Sequence, residues 1–116
     1  MKSKYKQGDI IFIPYPFTDL SGTKKRPVII ISKNEINSPN FIVAKITSVI
    51  RNDKFSFELK EQNLTIPLKK ESEVRTNEIF TVHKSLILRK FTNLHKISLS
   101  NLTDIIISHI ETDNKK

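Results

Sequence analysis

Pro14-Tyr15-Pro16-Phe17-Thr18-Asp19-Leu20-Ser21-Gly22-Thr23-Lys24-Lys25-Arg26-Pro27, flanked by Ile10-Ile11-Phe12-Ile13 and Val28-Ile29-Ile30-Ile31, decides how this chain is read. The two flanking runs are short, continuous and rich in β-branched residues, as in strands that have apolar neighbours on both faces. Pro14 and Pro16 stop the first strand, and Ser21-Gly22 marks a turn. About a dozen residues is long for a strand-to-strand connection, and loops of that length tend to carry function. On its return the loop delivers Lys24, Lys25 and Arg26 directly onto the second strand. A charge at the mouth of a rigid strand is held in place better than one on a mobile loop.

Outward from this segment the apolar pattern stays mainly that of strands. Phe41-Ile42-Val43-Ala44-Lys45-Ile46-Thr47 is a third run. Phe55, Phe57 and Leu59 alternate with polar residues, as do Leu64, Ile66 and Leu68, and the two stretches are expected to pair across Glu61-Gln62-Asn63. Ile79-Phe80-Thr81-Val82 adds another strand, which Leu86-Ile87-Leu88 is expected to continue. Leu102, Ile105, Ile106 and Ile110 are spaced by threes and fours, the period of a helix. Ser100 suits its N-cap, and Asp104 lies early enough to favour the helix dipole. Five to seven short strands and one C-terminal helix predict a mainly β fold, a strongly curved sheet or small barrel. The 116 residues form a single domain, 1–116, with 111–116 as a frayed tail.

Lys and Arg total 20 against 12 Asp and Glu, a net charge of +8. That excess suits a polyanion, whose condensed counterions are released on binding, although it also serves plain solubility. Nucleic acid, an acidic protein segment and an anionic membrane surface all fit the charge. The absence of cysteine excludes disulfides, thiolate catalysis and Cys-based metal sites. His95 and His109 lack metal-ligand spacing, so neither a metal nor another cofactor is expected. The basic N-terminus runs into Gln7-Gly8-Asp9 rather than an apolar stretch, and no run approaches the roughly 20 residues that span a bilayer. A cytosolic protein without a membrane partner is the expectation.

From Gly8-Asp9 through Pro14-Tyr15-Pro16-Phe17-Thr18-Asp19 and Lys25-Arg26-Pro27 to Ser32, the chain resembles the MazF/PemK toxin family. The shared pattern is Gly-Asp, an apolar strand, Pro-aromatic-Pro-Phe-Thr-Asp, a small-residue turn and Lys-Arg-Pro before a second strand. Ile46-Thr47-Ser48, Val74-Arg75-Thr76-Asn77, Phe80-Thr81-Val82-His83-Lys84-Ser85 and Leu99-Ser100 resemble later segments of the family. The resemblance implies an SH3-like small barrel of the CcdB/PemK type with a C-terminal helix, and a homodimer. It further implies metal-independent cleavage of single-stranded RNA at short motifs, and a cognate acidic antitoxin whose extended segment occupies the RNA groove. Two positions depart from the pattern. Many members carry Asp where this chain has Asn77, which cannot ionise, and some carry Asp where it has His83.

RNA can be cut without a metal by its own ribose 2′-hydroxyl, leaving a 2′,3′-cyclic phosphate and a free 5′-hydroxyl; DNA lacks the nucleophile. The step needs removal of the 2′ proton, stabilisation of the phosphorane and protonation of the leaving 5′ oxygen. On this resemblance Arg26 is the first candidate, because its planar fork can hold two phosphate oxygens. Thr47 is the second, as a hydroxyl that can bond a phosphate oxygen or the leaving group, with Ser48 as a weaker neighbour. Arg75 is the third, as part of the catalytic pair or a cation for a flanking phosphate; an ordinary ion pair with Glu73 or Glu78 fits it equally well. Lys24 and Lys25 are expected to steer the RNA backbone. Tyr15 and Phe17 are candidates to stack bases, with packing against the barrel the first reading for Phe17. Asn77 and His83 complete the RNA-contact candidates, although the place of His83 at the end of an apolar strand points first to a structural role.

Two other functions fit the same fold. A CcdB-like toxin would bind DNA gyrase without hydrolysis, but that contact uses a C-terminal Trp-Gly-Ile. This chain has no tryptophan and a polar end. Asn77 also admits an RNA-binding module without catalysis.

Overall fold

The computed structural model describes residues 4–14 and 24–113. Six strands form one sheet: β1 (Asp9–Pro14), β2 (Lys25–Ile30), β3 (Asn40–Thr47), β4 (Ser56–Glu58), β5 (Glu73–His83) and β6 (Arg89–Asn93). One α-helix among the described residues, α1 (Lys96–Ser108), follows them. The strand order is β4-β5-β3-β2-β1-β6, antiparallel throughout, and the sheet curls into a half-barrel. The expected mainly β fold with a C-terminal helix is therefore present.

The continuous apolar runs have the expected cause. Ile10, Ile29, Ala44, Ile46 and Val74 build one buried cluster with Leu102 and Ile106 of the helix. Their alternates Ile11, Ile13, Val28, Ile30, Phe41 and Val43 build a second on the other face, closed by Tyr5, Phe80 and Ile87. A strand with apolar cover on both faces has no polar alternation to show. Fully burying each such side chain contributes about 1.5–3 kcal/mol.

The Gly8-Asp9 pair that opens β1 has a packing reason. Gly8 takes φ +94°, and a Cβ there would lie 2.9 Å from Leu99 Cδ2 on the helix. Its N–H donates to Ile30 and its carbonyl accepts from Leu94, so one residue ties β2 to the start of the helix. Asp9, also buried, accepts from Lys6 N at 2.9 Å and pairs with Lys90 Nζ at 3.1 Å.

Three local expectations are corrected. Leu64, Ile66 and Leu68 do not pair with the Phe57 stretch: β4 pairs with β5, while Leu64 bridges Leu94 and Ile66 N donates to Thr92 Oγ1. Pro67 lacks the N–H that a continuing ladder would need. Leu86-Ile87-Leu88 does not prolong β5. His83 Nδ1 accepts from Ser85 N and caps a 3-10 turn over Lys84–Leu86, and β6 begins only at Arg89. The helix starts at Lys96, with His95 at its N-cap and Ser100 inside it. Leu94 and His95 are fixed by bonds to Gly8 and Asn63, which forces the turn into the helix there. Leu99, Leu102 and Ile106 carry the docking stripe, and Ile110 lies past the helix end and is exposed.

Candidate active site

The site lies where β1, β2 and β3 end together. Across β2 and β3, Val28 faces Lys45. That antiparallel register, continued by two residues, would bring Arg26 opposite Thr47. The strand pairing stops short of this position, and the gap opens a cleft of about 410 Å³. Arg26, Lys45, Lys69 and Lys70 line it, with Thr47 and Ser48 as hydroxyls and Phe12, Ile46 and Leu68 as apolar walls. Among the described residues no carboxylate is in that lining, although Lys45 is paired with Glu78 at 3.4 Å, so an anion meets positive charge from several directions.

Thr47 is oriented by its own loop: its Oγ1 accepts from Val49 N at 3.0 Å. A hydroxyl has one proton to give and two lone pairs. With one lone pair committed to the backbone, the proton is left to donate towards a ligand in the cleft.

For Arg75, expected either as a second cation of the site or as an ion-pair partner of Glu73 or Glu78, the structure shows the ion pair, in buried surroundings. The residue is 5% exposed and absent from the cleft lining. Its Nη1 donates to Glu73 Oε2 at 2.6 Å and to Asp53 Oδ1 at 3.0 Å, and its Nη2 to Asp53 Oδ2 at 3.1 Å. Nε approaches Glu78 Oε2 at 3.5 Å without hydrogen-bond geometry. Ser56 Oγ completes the group, donating to Glu73 Oε2 at 2.7 Å. Alternation along β5 turns this side chain to the face opposite the core residue Val74 and into the β3–β4 loop, where three acidic residues meet it.

The charges in this cluster sustain one another. The hydrogen bond from Arg75 and then the N–H of Phe55 pull the Asp53 carboxyl down to about 2, from an ordinary 3.8. Burial pushes Glu73 up, but bonds from Ser56, Arg75, Asn52 and Arg51 outweigh it and leave the carboxyl below its usual range. Asp53 in turn raises the Arg75 guanidinium above its usual value. A carboxyl whose folded pKa is depressed stabilises the fold above its unfolded value and loses that contribution as pH falls through the folded one. Stability is therefore expected to decline from near pH 4 towards pH 2, which urea midpoints measured across that range would show. Asp53→Asn should flatten the decline.

The remaining candidates are spread out. Ser48 lines the cleft, and Lys24 and Lys25 stand exposed where the chain enters β2. Asn77 is exposed four residues along β5 from Glu73, roughly 13 Å of strand from the Thr47 end. His83 pairs with Asn40 at the far end of the sheet, about 23 Å of strand from Thr47, and is engaged by Ser85. Tyr15 and Phe17 lie outside the described residues. His109, given no role in the sequence, closes the helix end by bonding Thr76 Oγ1 at 3.0 Å and packing on Phe55. No group of three potential metal-ligating side chains occurs among the described residues.

Sequence reasoning missed Phe12, Lys45, Lys69 and Lys70 in the cleft, and Asp53 behind it. Phe12 is hidden inside an unbroken apolar run. Lys69-Lys70 was visible as a charge pair after Pro67, but such pairs are usually solvated surface. Arg89 lies 4.9 Å from the Phe12 ring centre and 5.7 Å from that of Phe91, which backs this wall of the cleft with a further cation.

The same architecture occurs in solved toxin structures. MazE–MazF from Deinococcus radiodurans aligns with a TM-score of 0.76 at 12% identity, covering 93% of this chain and 96% of that one. An endoribonuclease from a mycobacterial species aligns at 0.72 and 14% identity, covering 93% and 92%. The Mycobacterium tuberculosis toxin MazF-mt6 aligns at 0.71 and 20% identity, covering 90% and 98%. No curated protein matches the chain. No helix among the described residues is long and apolar enough to cross a membrane. The family model of the PemK-like, MazF-like toxins of type II toxin–antitoxin systems matches residues 6–110, a span that holds the whole sheet, the cationic cleft and the helix, and the chain belongs to that family.

Proposed function

We propose that this toxin is a cytosolic endoribonuclease that cleaves single-stranded RNA in the Arg26–Thr47 cleft, with the ribose 2′-hydroxyl as nucleophile and no metal ion. The observation that carries the reading is that a guanidinium and a strand-end hydroxyl line one cleft, whose described lining holds four cations and no carboxylate. Arg26 holds the non-bridging oxygens and stabilises the dianionic phosphorane. A guanidinium suits electrostatic work better than proton transfer. Thr47 donates its proton as a hydrogen bond to a phosphate or leaving-group oxygen. Lys69 and Lys70, with Lys24 and Lys25 at the mouth, hold the flanking phosphates, and Phe12 offers a ring for an unpaired base, as Tyr15 and Phe17 do in the loop. Arg75 acts from behind the cleft rather than on the phosphate.

The test is cleavage of a long RNA in EDTA, mapped by primer extension, with end-group analysis of the products. Cyclic phosphate and 5′-hydroxyl ends are expected, and a 2′-deoxyribose at the cut nucleotide should abolish scission at that site. Loss of activity in EDTA would overturn the metal-free route. Tight RNA binding without scission on any sequence would leave a binding module instead.

The same cleft suits the extended acidic segment of a cognate antitoxin, which would compete with RNA for the four cations. The solved relatives include an endoribonuclease in complex with its cognate antitoxin. The reading also includes a homodimer, which sedimentation would detect as twice the 13.4 kDa of one chain.

A further inference from the structure

We propose that Asp53, Glu73 and Arg75 are positioning residues that fix the Thr47 hydroxyl through the β3–β4 loop. For its effect on rate, this rests on the ribonuclease reading above; for its structural half, it does not.

The connection can be followed bond by bond. Thr47 ends β3 and is directly opposite Glu73 of β5. Two residues on, Val49 N donates to Thr47 Oγ1 and sets the direction of the hydroxyl. The chain then turns back. The successive N–H groups of Arg51 and Asn52 both point at Glu73 Oε1, at 3.3 and 3.4 Å. Asn52 takes φ +52°, a left-handed conformation that Asn accepts more readily than most residues. Such a turn converges adjacent N–H groups into a concavity for an anion, and here the anion is the Glu73 side chain.

Glu73 would be a poor anchor by itself, since a carboxylate only 2% exposed must be compensated to stay charged. Arg75 supplies that compensation at 2.6 Å and spends the rest of its fork on Asp53, at the far end of the same loop. Asp53 is then locked to the backbone by Phe55 N at 2.9 Å. The loop is thus clamped at Arg51-Asn52 and at Asp53, and the three residues Ser48, Val49 and Ile50 join the clamp to Thr47. Ser48 and Val49 belong to the cleft wall, so a shift of the loop moves the wall and the hydroxyl together.

The measurement uses the full chain carrying Asp53→Asn, Glu73→Gln or Ser56→Ala, with Ile106→Val in the helix core as a control for general loosening. Four quantities are compared: kcat, KM for RNA, hydrogen exchange of the Val49, Arg51 and Asn52 amides, and the Thr47 side-chain rotamer from NMR couplings. Asp53→Asn removes charge from an exposed side chain, so the fold should persist even where Glu73→Gln unfolds. Its expected result is faster exchange at all three amides, averaging of the Thr47 rotamer and about a tenfold fall in kcat, because small misplacements of catalytic groups are costly. KM should stay within about twofold, since the phosphate-holding cations are untouched. Ile106→Val should change neither exchange in the loop nor kcat.

Faster loop exchange with kcat unchanged would overturn the proposal, and so would a fall in kcat with exchange and rotamer unchanged. If the wild-type chain cuts no RNA, the ribonuclease reading falls by that result alone. The exchange and rotamer data then decide the positioning claim, and an unaltered Thr47 rotamer in Asp53→Asn would end it.

Discussion

Arg26→Ala is expected to lower kcat on single-stranded RNA by about 10²–10³-fold while leaving the melting temperature within a degree or two. The magnitude is that of removing one preorganised donor from a developing oxyanion. The stability expectation follows from exposure: Arg26 stands at the open end of β2, on the water side of the cleft, and contributes nothing to either apolar cluster. Arg26→Lys should fall between, because an ammonium keeps the charge but cannot hold two oxygens in one plane. Lys69→Ala and Lys70→Ala should act differently, raising KM by a few-fold and weakening the salt dependence with little change in kcat, as expected of backbone contacts. Rates measured in EDTA on one mapped RNA separate these classes. Full activity in Arg26→Ala would remove this residue from the mechanism.

The largest stability loss is expected from Arg75→Ala, about 3–4 kcal/mol in urea denaturation at neutral pH. Removing one partner of a buried ion pair strands the other without compensation, and that asymmetry costs about 3–5 kcal/mol. Here the stranded group is Glu73, which would keep only Ser56 and two backbone N–H groups. Melting should fall by roughly 10–20 °C for a domain of this size. Arg75→Lys should recover only part of the loss, because a single ammonium cannot bond Glu73 and both oxygens of Asp53 with the same geometry. Lys45→Ala, which breaks a half-exposed contact to Glu78 at 3.4 Å, should cost under about 1 kcal/mol. A loss below 1 kcal/mol for Arg75→Ala would mean that water reaches the cluster and that the buried charges are not what holds the loop.

Much of this protein was legible in its residue order. The runs at Ile10, Val28 and Phe41 announce strands with cover on both sides, because a β-branched sequence without polar alternation has few other stable places to go. The Gly-Asp opening, the proline-flanked loop and the Lys-Arg-Pro return carry the family pattern, which brought Arg26 and Thr47 forward as candidates; that both line one cleft is shown by the structure. Those signals are local: each rests on neighbouring residues or on one strand's period.

The tertiary structure decided what depended on who pairs with whom. Leu64 and Ile66 have a strand's pattern, yet they turn to β6 because Pro67 cuts their ladder short and Leu94 offers the bridge. Ser100 looks like an N-cap, but the helix begins earlier because the bonds at Leu94 and His95 have already turned the chain. Arg75 is the clearest case. From its neighbours alone a cation beside Glu73 and Glu78 reads equally as phosphate ligand or surface pair, and nothing local reveals that Asp53 and Ser56 come from another strand region to enclose it. Side-chain chemistry is written in the sequence, whereas burial and partner choice are set by strands meeting over long separations, and it is burial among Asp53, Glu73 and Ser56 that keeps this arginine out of the cleft lining.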